Sequence, residues 1–310
     1  MSEEKRAWKS SIPLPERLLN IRSLSHEARS AYLLLLPVLV FFVIFQYYPI
    51  LKSIAISFLE YGLLMRVTPW IGLDNYVRQF QDPLFISALW NTLLFVGVVV
   101  VVGVALALLF AMLVEQTGRW AKLYRTLYFI PVVTSLLATS MIFRWIYASN
   151  GLLNFIMTFF GLEPQAWLLS ESLALPSLMA LTIWKNLGFD LILFAAALQA
   201  IPEEYYEVSG MDGASPLQNF RYVTFPQLKP IFLLVSITAV IRSFQVFTIV
   251  LAMTQGGPIN ATRTMVYHIY EQGIQYDEMG YASAAAVILL VIVAVLTYVQ
   301  MRVGREPVAA

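Results

Sequence analysis

Long apolar runs separated by short stretches that gather most of the charge set the pattern of this chain. From Phe85 to Val114 no residue is charged, which is more than the ~20 positions needed to cross a hydrocarbon core. A first run opens at Ala31 and reaches about Phe58, broken or kinked near Pro49. Its basic leader and apolar body invite comparison with a signal peptide. The run exceeds the ~7–15 apolar residues of a signal, and no small-x-small cleavage pattern follows it. A third run, about 124–147, has Pro131 inside it and ends in Arg144-Trp145-Ile146-Tyr147, an aromatic and snorkelling girdle. The fourth, about 172–200, is interrupted by Lys185 and Asp190; the fifth, about 230–253, contains Arg242; the sixth, about 279–301, is free of charge. Six helices that satisfy their own backbones are the reading, an all-α integral membrane protein with spans at about 31–58, 85–114, 124–147, 172–200, 230–253 and 279–301. Residues 1–30 and 302–310 flank this single membrane domain.

Lys and Arg orient it. Thirteen of the twenty fall in the segments that share a side with the N-terminus, and four (Lys52, Arg66, Arg78 and Arg263) in the loops opposite. The bias puts both termini in the cytoplasm.

Composition sharpens this picture. The chain has 310 residues, 59% hydrophobic and 13% charged, about half the usual share of charge, which excludes a soluble two-domain enzyme. A net charge of +1 excludes a nucleic-acid surface built on bulk positive charge. With no Cys and two His, thiolate chemistry is impossible and no metal site is expected. None of the six lysines follows the glycine that a phosphate-cradling G-x-x-x-x-G-K-[ST] loop requires, so this chain binds no nucleotide that way and cannot hydrolyse ATP by itself.

Between spans four and five lies an inner loop, 202–226, whose local chemistry reads helix, break, helix. Pro202 suits a first helical position and Glu203 and Glu204 favour the positive end of the dipole. Gly210 and Gly213 permit the positive φ that closes a helix. Ser215-Pro-Leu-Gln218 is a capping box, so a second short helix is expected to start at Pro216 and stop near Phe225-Pro226. Tyr205, Tyr206, Val208 and Met211 would be exposed there and need a protein partner, or else the headgroup region, to cover them.

The order Glu207-Val208-Ser209, three residues, Gly213, nine residues, Val223-Thr224-Phe225-Pro226 resembles the EAA loop of the permease subunits of bacterial ABC importers. Asp212-Gly213-Ala214 fits its common form; Val208 and Ser209 replace the two alanines, and Val223 and Phe225 replace Ile and Leu. Trp184-Lys185 with Gly188, Leu198-Gln199 ahead of Pro202, and Thr254-Gln-Gly-Gly-Pro258 with Thr262 to Thr264 are similar to the carbohydrate importers, especially the first permease of the maltose and glycerol-3-phosphate type. The resemblance implies a type I importer permease fold in a bacterial inner membrane, half of a pathway for a sugar or sugar-like solute. It also implies a second permease, two ATPase subunits that bind the ATP and magnesium, and an extracytoplasmic solute-binding protein. Glu207, Val208, Ser209, Met211, Asp212, Gly213 and Ala214 would then form the helix that couples to the ATPase.

Charged groups in the spans cost at least ~2.5–3.5 kcal/mol at mid-bilayer and so face the protein interior or a cavity. Asn186 and Asp190 share one helix face and Arg242 and Gln245 another. With Phe244 and Phe247 as flat apolar platforms, these residues suit a hydroxyl-rich solute. An interior ion pair of Asp190 with Arg242 or Lys185, fixing packing and touching no solute, stays open beside it. Arg144 reads as a snorkelling anchor and His268 as a solvated loop residue. An ion-coupled transporter that titrates Asp190 is the alternative from another class.

Overall fold

The computed structural model describes residues 26–64 and 68–304. The basic leader before His26, Arg66 and the tail from Arg305 onward lie outside the described residues. Apart from one isolated bridge between Leu59 and Trp70, the described residues form helices and loops. They fall into two units, divided between Ser53 and Ile54.

The first unit is a helical rod. Helix α1 (His26–Phe42) passes through a π-turn (Val43–Tyr47) into α2 (Tyr48–Ile56), and Tyr32–Ile56 is 25 residues long, with a window of 18 residues whose mean hydropathy is 2.2. Pro49 falls in the first turn of α2, just where the π-turn ends. The helix therefore continues through this proline, which sits where the wider turn has already displaced the i→i−4 ladder.

The second unit is a bundle built on two long helices. A short α3 (Asp74–Gln81) leads to α4 (Pro83–Glu115), whose N-cap Asp82 accepts from Leu84 N at 2.8 Å with Pro83 at the first position. Gly103, Ala107 and Ala111, each four apart, are buried along α4. That stripe lets α8 (Glu171–Gln199) approach closely, Ile183 lying 3.8 Å from where a Cβ on Gly103 would stand. Helices α5 (Ala121–Val133) and α6 (Leu136–Ile146) follow, then α7 (Leu152–Phe159) before α8. After α8 come α9 (Glu203–Met211), α10 (Pro216–Asn219), α11 (Phe225–Phe244), α12 (Thr248–Met253), α13 (Met265–Tyr270) and α14 (Met279–Val303).

Five helices among the described residues are long and apolar enough to cross a membrane, and a bent pair makes a sixth candidate span. The bent pair is the expected third span. Its two halves, Gly118–Val133 and Leu136–Ile146, meet at 95° rather than running straight from 124 to 147. Thr134 turns extended (ψ 149°) after Pro131, and Ser135 opens α6 by accepting from Ala138 N, so the chain stops one helix and caps another within two residues.

The expected fifth span is also corrected. The helix that begins at Pro216 does not stop at Pro226. It runs through a π-turn (Phe220–Thr224) into α11 as one helix of 29 residues, Pro216–Phe244. Pro226 has no N–H and its ring would strike a carbonyl one turn back. The wider π-turn immediately before it absorbs that loss. The span then breaks at Gln245–Phe247, short of Met253, and α12 supplies the remaining turns.

The two larger apolar clusters lie toward opposite ends of the bundle. One joins α4, α8 and α11 toward the α9 end, around Ala107, Leu191, Phe194 and Val235. The other joins α4, α8 and α12 at the opposite end, around Phe95, Leu178, Leu181 and Val250.

Candidate functional site

At one end of the bundle α9 starts at Glu203, with Pro202 at the N-cap rather than the first helical position, and closes at Asp212 and Gly213. Gly213 takes φ +71°; Gly210 stays inside the helix and is not needed for the closure. The capping box forms as spelled in the sequence: Ser215 Oγ accepts from Gln218 N at 3.4 Å, and Ser215 N donates to Gln218 Oε1 at 2.7 Å. Tyr205, Val208 and Met211 are exposed, Met211 by 81%. Leu217 and Tyr222 extend this apolar surface. Tyr206 departs from the expectation: it leans on the π-turn that precedes α11, its hydroxyl 3.0 Å from Thr224 Oγ1. Glu207 and Asp212 are exposed, while Ser209 and Ala214 are half-buried.

The root of this loop is fastened. Glu115, at the end of α4, receives two hydrogen bonds from Arg125 Nη2 at 2.5 and 2.7 Å and one from Gln199 Nε2 at 3.0 Å, three residues before Pro202. Arg125 and Gln199 thereby offset the unfavourable charge of a carboxylate at a helix C-terminus.

Midway along the bundle, Lys185 explains the bend between α5 and α6. Its ammonium donates to the carbonyls of Pro131, Val132 (3.3 Å) and Thr134 (2.6 Å) and to Thr134 Oγ1 (3.0 Å). These carbonyls lie at the C-terminal end of α5 and just past it, where a cation belongs. Lys185 therefore does not pair with Asp190. The sequence offered a signal for this in Pro131 followed by Thr134-Ser135, a break and a cap inside an apolar run. Gly188, one turn on, makes the approach possible, since a Cβ there would overlap the Tyr128 carbonyl.

Asp190, 4% exposed, accepts from Arg242 Nη2 at 2.6 Å. The Arg242 guanidinium also lies 5.1 Å from the Phe189 ring centroid. Beside this pair opens a cavity of about 260 Å³ whose wall includes Asn186, Lys185, Arg242, Gln245 and Phe247. Four of the six expected pathway residues therefore meet in one space. Asp190 stands behind Arg242, outside that wall, and Phe244 does not reach it. Phe244 is 1% exposed and packs with Val96 and Val240 in the core. Three positions separate Phe244 from Phe247, but the helix ends between them and Phe247 takes φ −139°, so the two rings leave in different directions.

Beyond α12, Thr262 Oγ1 donates to Gly257 O (2.6 Å) and lies 2.8 Å from Thr254 Oγ1, tying the Thr254–Thr264 loop into a fixed shape. His268 corrects the expectation of a solvated residue: it is fully buried, and Arg263 beside it pairs with Glu271. Burial, reinforced by Arg263 and partly opposed by Asp82, pushes the His268 imidazole down to about 4. Arg144 is no simple anchor, since it donates to Ala252 O at 3.4 Å and borders a second cavity. The described residues include no group of three or more His, Cys, Asp or Glu that could hold a metal.

Residues 100–306 match the family described as the inner membrane component of binding-protein-dependent transport systems. The chain belongs to this family of ABC importer permeases. Along 89% of its length the permease is 34% identical to the probable ABC transporter permease protein YurN of Bacillus subtilis, covering 97% of that protein. It is 31% identical to the sn-glycerol-3-phosphate transport system permease protein UgpA of Escherichia coli, over 87% of the permease and 92% of that protein. Its fold matches a chain in the crystal structure of a bacterial ABC transporter that imports the acidic polysaccharide alginate, with a TM-score of 0.78 at 25% identity, covering 90% of the permease and 96% of that chain. The permease thus has the type I importer fold expected from its loop and spans.

Proposed function

We propose that the chain forms half of the translocation pathway of an ATP-driven importer for a sugar or sugar-like solute in a bacterial inner membrane. Both termini are on the cytoplasmic side, following the distribution of Lys and Arg. The observation that carries the reading is the 260 Å³ cavity, where Asn186, Gln245 and Arg242 offer hydrogen bonds beside the flat face of Phe247. Sugars are held by that combination of polar edges and an apolar platform. Relatives whose names specify sn-glycerol-3-phosphate, arabinooligosaccharides and lactose support the solute class.

The exposed surface of α9, with Tyr205, Val208 and Met211 around Glu207, is the part that seats on an ATPase subunit, which binds the ATP and magnesium. Gly213 sets the turn, and Ser209, Asp212 and Ala214 shape it. A second permease completes the pathway and an extracytoplasmic solute-binding protein delivers the solute. The chain itself carries out no catalysis. Import by ion coupling through Asp190 is disfavoured by its engagement with Arg242.

The test is to tag the chain in its native host, purify it in mild detergent, identify what accompanies it, and assay uptake in proteoliposomes. A second permease and a P-loop ATPase are expected, with uptake that requires ATP. The chain alone, transporting without ATP, would refute the proposal.

A further inference from the structure

The bundle unit holds a larger cavity than the one above. A space of about 530 Å³ opens beyond it, bordered by Arg144, Tyr147, Asn150, Trp167, Thr254 and Pro258 among others. Helices α6 and α12 contribute to both cavities, through different residues. On α6 the inner cavity meets Leu136 and the outer one Arg144, a separation of about 12 Å along the helix axis. On α12 the corresponding residues are Ile249 and Met253. The two spaces are successive stations along the same pair of helices.

The walls of the outer space are fixed in place. Asn154, 2% exposed, donates to the carbonyls of Ser149 (3.1 Å) and Gln165 (2.9 Å), and its Oδ1 accepts from Trp167 Nε1 at 3.0 Å. With its N–H spent on Asn154, Trp167 offers the cavity only its apolar ring, and the Tyr147 ring lies 6.2 Å away. Gly151 closes the turn below, where a Cβ would strike the carbonyls of Trp145 and Ile146.

Charge is the distinguishing property. No carboxylate lines the cavity, and Arg144 is exposed, joined to the protein by one long hydrogen bond to Ala252 O, and has no ion pair among the described residues. Arg242 in the inner cavity is matched by Asp190; Arg144 has no counterpart. A planar guanidinium free to make a bidentate bond, next to a fixed aromatic face, fits a sugar ring bearing a carboxylate.

We propose that the outer cavity is a second solute site that selects acidic sugars, Arg144 taking the carboxylate and Trp167 the ring face, before the solute reaches the inner cavity. This rests on the import reading, and it narrows the solute class from sugars in general to those carrying a negative charge.

Because the chain has no cysteine, one introduced thiol reports the cavity. Ser149→Cys, measured in the complex as isolated, should react about tenfold faster with an anionic sulfonatoethyl methanethiosulfonate than with its cationic trimethylammonium counterpart, relative to the same ratio at a control thiol from Ser172→Cys. Adding Arg144→Gln should abolish that preference. Millimolar trigalacturonate should protect the thiol, maltotriose should not, and the protection should vanish with Arg144→Gln. A thiol that is unreactive because a neighbouring subunit fills the space, one without charge preference, or equal protection by the neutral trisaccharide would each overturn the proposal. The reactivity arm needs no transport, so its failure is distinguishable from failure of the import reading.

Discussion

Replacing Arg242 by Gln leaves Asp190 without its cation at a site where the carboxylate is 4% exposed. Breaking a buried pair from one side costs about 3–5 kcal/mol, since the remaining charge is neither solvated nor matched. At about 2 °C per kcal/mol for a chain of this size, the midpoint of thermal unfolding should fall by about 6–10 °C. The reverse substitution, Asp190→Asn, is milder. The Arg242 side chain is 31% exposed and borders the 260 Å³ cavity, so it can be solvated there, and a loss of about 1–2 kcal/mol, or about 2–4 °C, is expected. The double variant Asp190→Asn with Arg242→Gln removes both charges and should recover to within about 3 °C of wild type. Thermal unfolding of the four purified complexes, with ATP-driven uptake measured on each, completes the cycle. An Arg242→Gln variant no less stable than Asp190→Asn, or a double variant no better than Arg242→Gln, would refute the reasoning. If the double variant is stable and transports, the pair serves packing; if it is stable and inactive, the pair touches the solute.

Gly213→Pro should leave the chain in the membrane at normal abundance and abolish uptake, because φ of +71° is closed to proline and the turn between α9 and α10 would be re-aimed; uptake above half of wild type would count against the coupling role. Gly188→Ala should destabilise by about 1–3 kcal/mol by pushing α5 off α8, read as a lowered unfolding midpoint. His268 is held neutral, so the unfolded chain binds a proton in a window where the folded chain does not. Stability should be full above about pH 6.5 and decline as the pH falls from there toward 4, by about 3 kcal/mol in all. In His268→Gln the change in midpoint between pH 7 and pH 5 should shrink; an unchanged slope would assign the acid sensitivity elsewhere.

Local chemistry was legible in the sequence where a few adjacent residues decide it. The capping box at Ser215 and Gln218, the start of α10 at Pro216 and the closure at Gly213 follow from spacing alone. The long spans were legible because apolar length is a one-dimensional property. Continuity at prolines was not. Pro131 precedes a 95° bend and Pro226 sits in a continuous helix, because Lys185, distant in sequence, caps the first break and a π-turn absorbs the second. Facing was legible only within one unbroken helix. Asn186 and Asp190 do share a side, whereas Phe244 and Phe247 part company where α11 ends. His268 looked like a loop residue because nothing nearby in sequence announces that Phe85 and Tyr281 close over it.

The helix Pro216–Phe244 carries one further implication. It begins in the exposed α10 turn and ends at the residues that border the inner cavity, 29 residues with the π-turn but no hinge between them. At 1.5 Å per residue it is a rod of about 43 Å, and a tilt of about 5° at its base sweeps the far end by about 4 Å, more than a hydrogen-bond length. Because the helix is continuous from Leu217 to Arg242, a push at one end is carried toward the other. Gearing of this kind makes the cavity's shape a readout of the loop's position, and a single glycine pair placed mid-rod would act as a clutch.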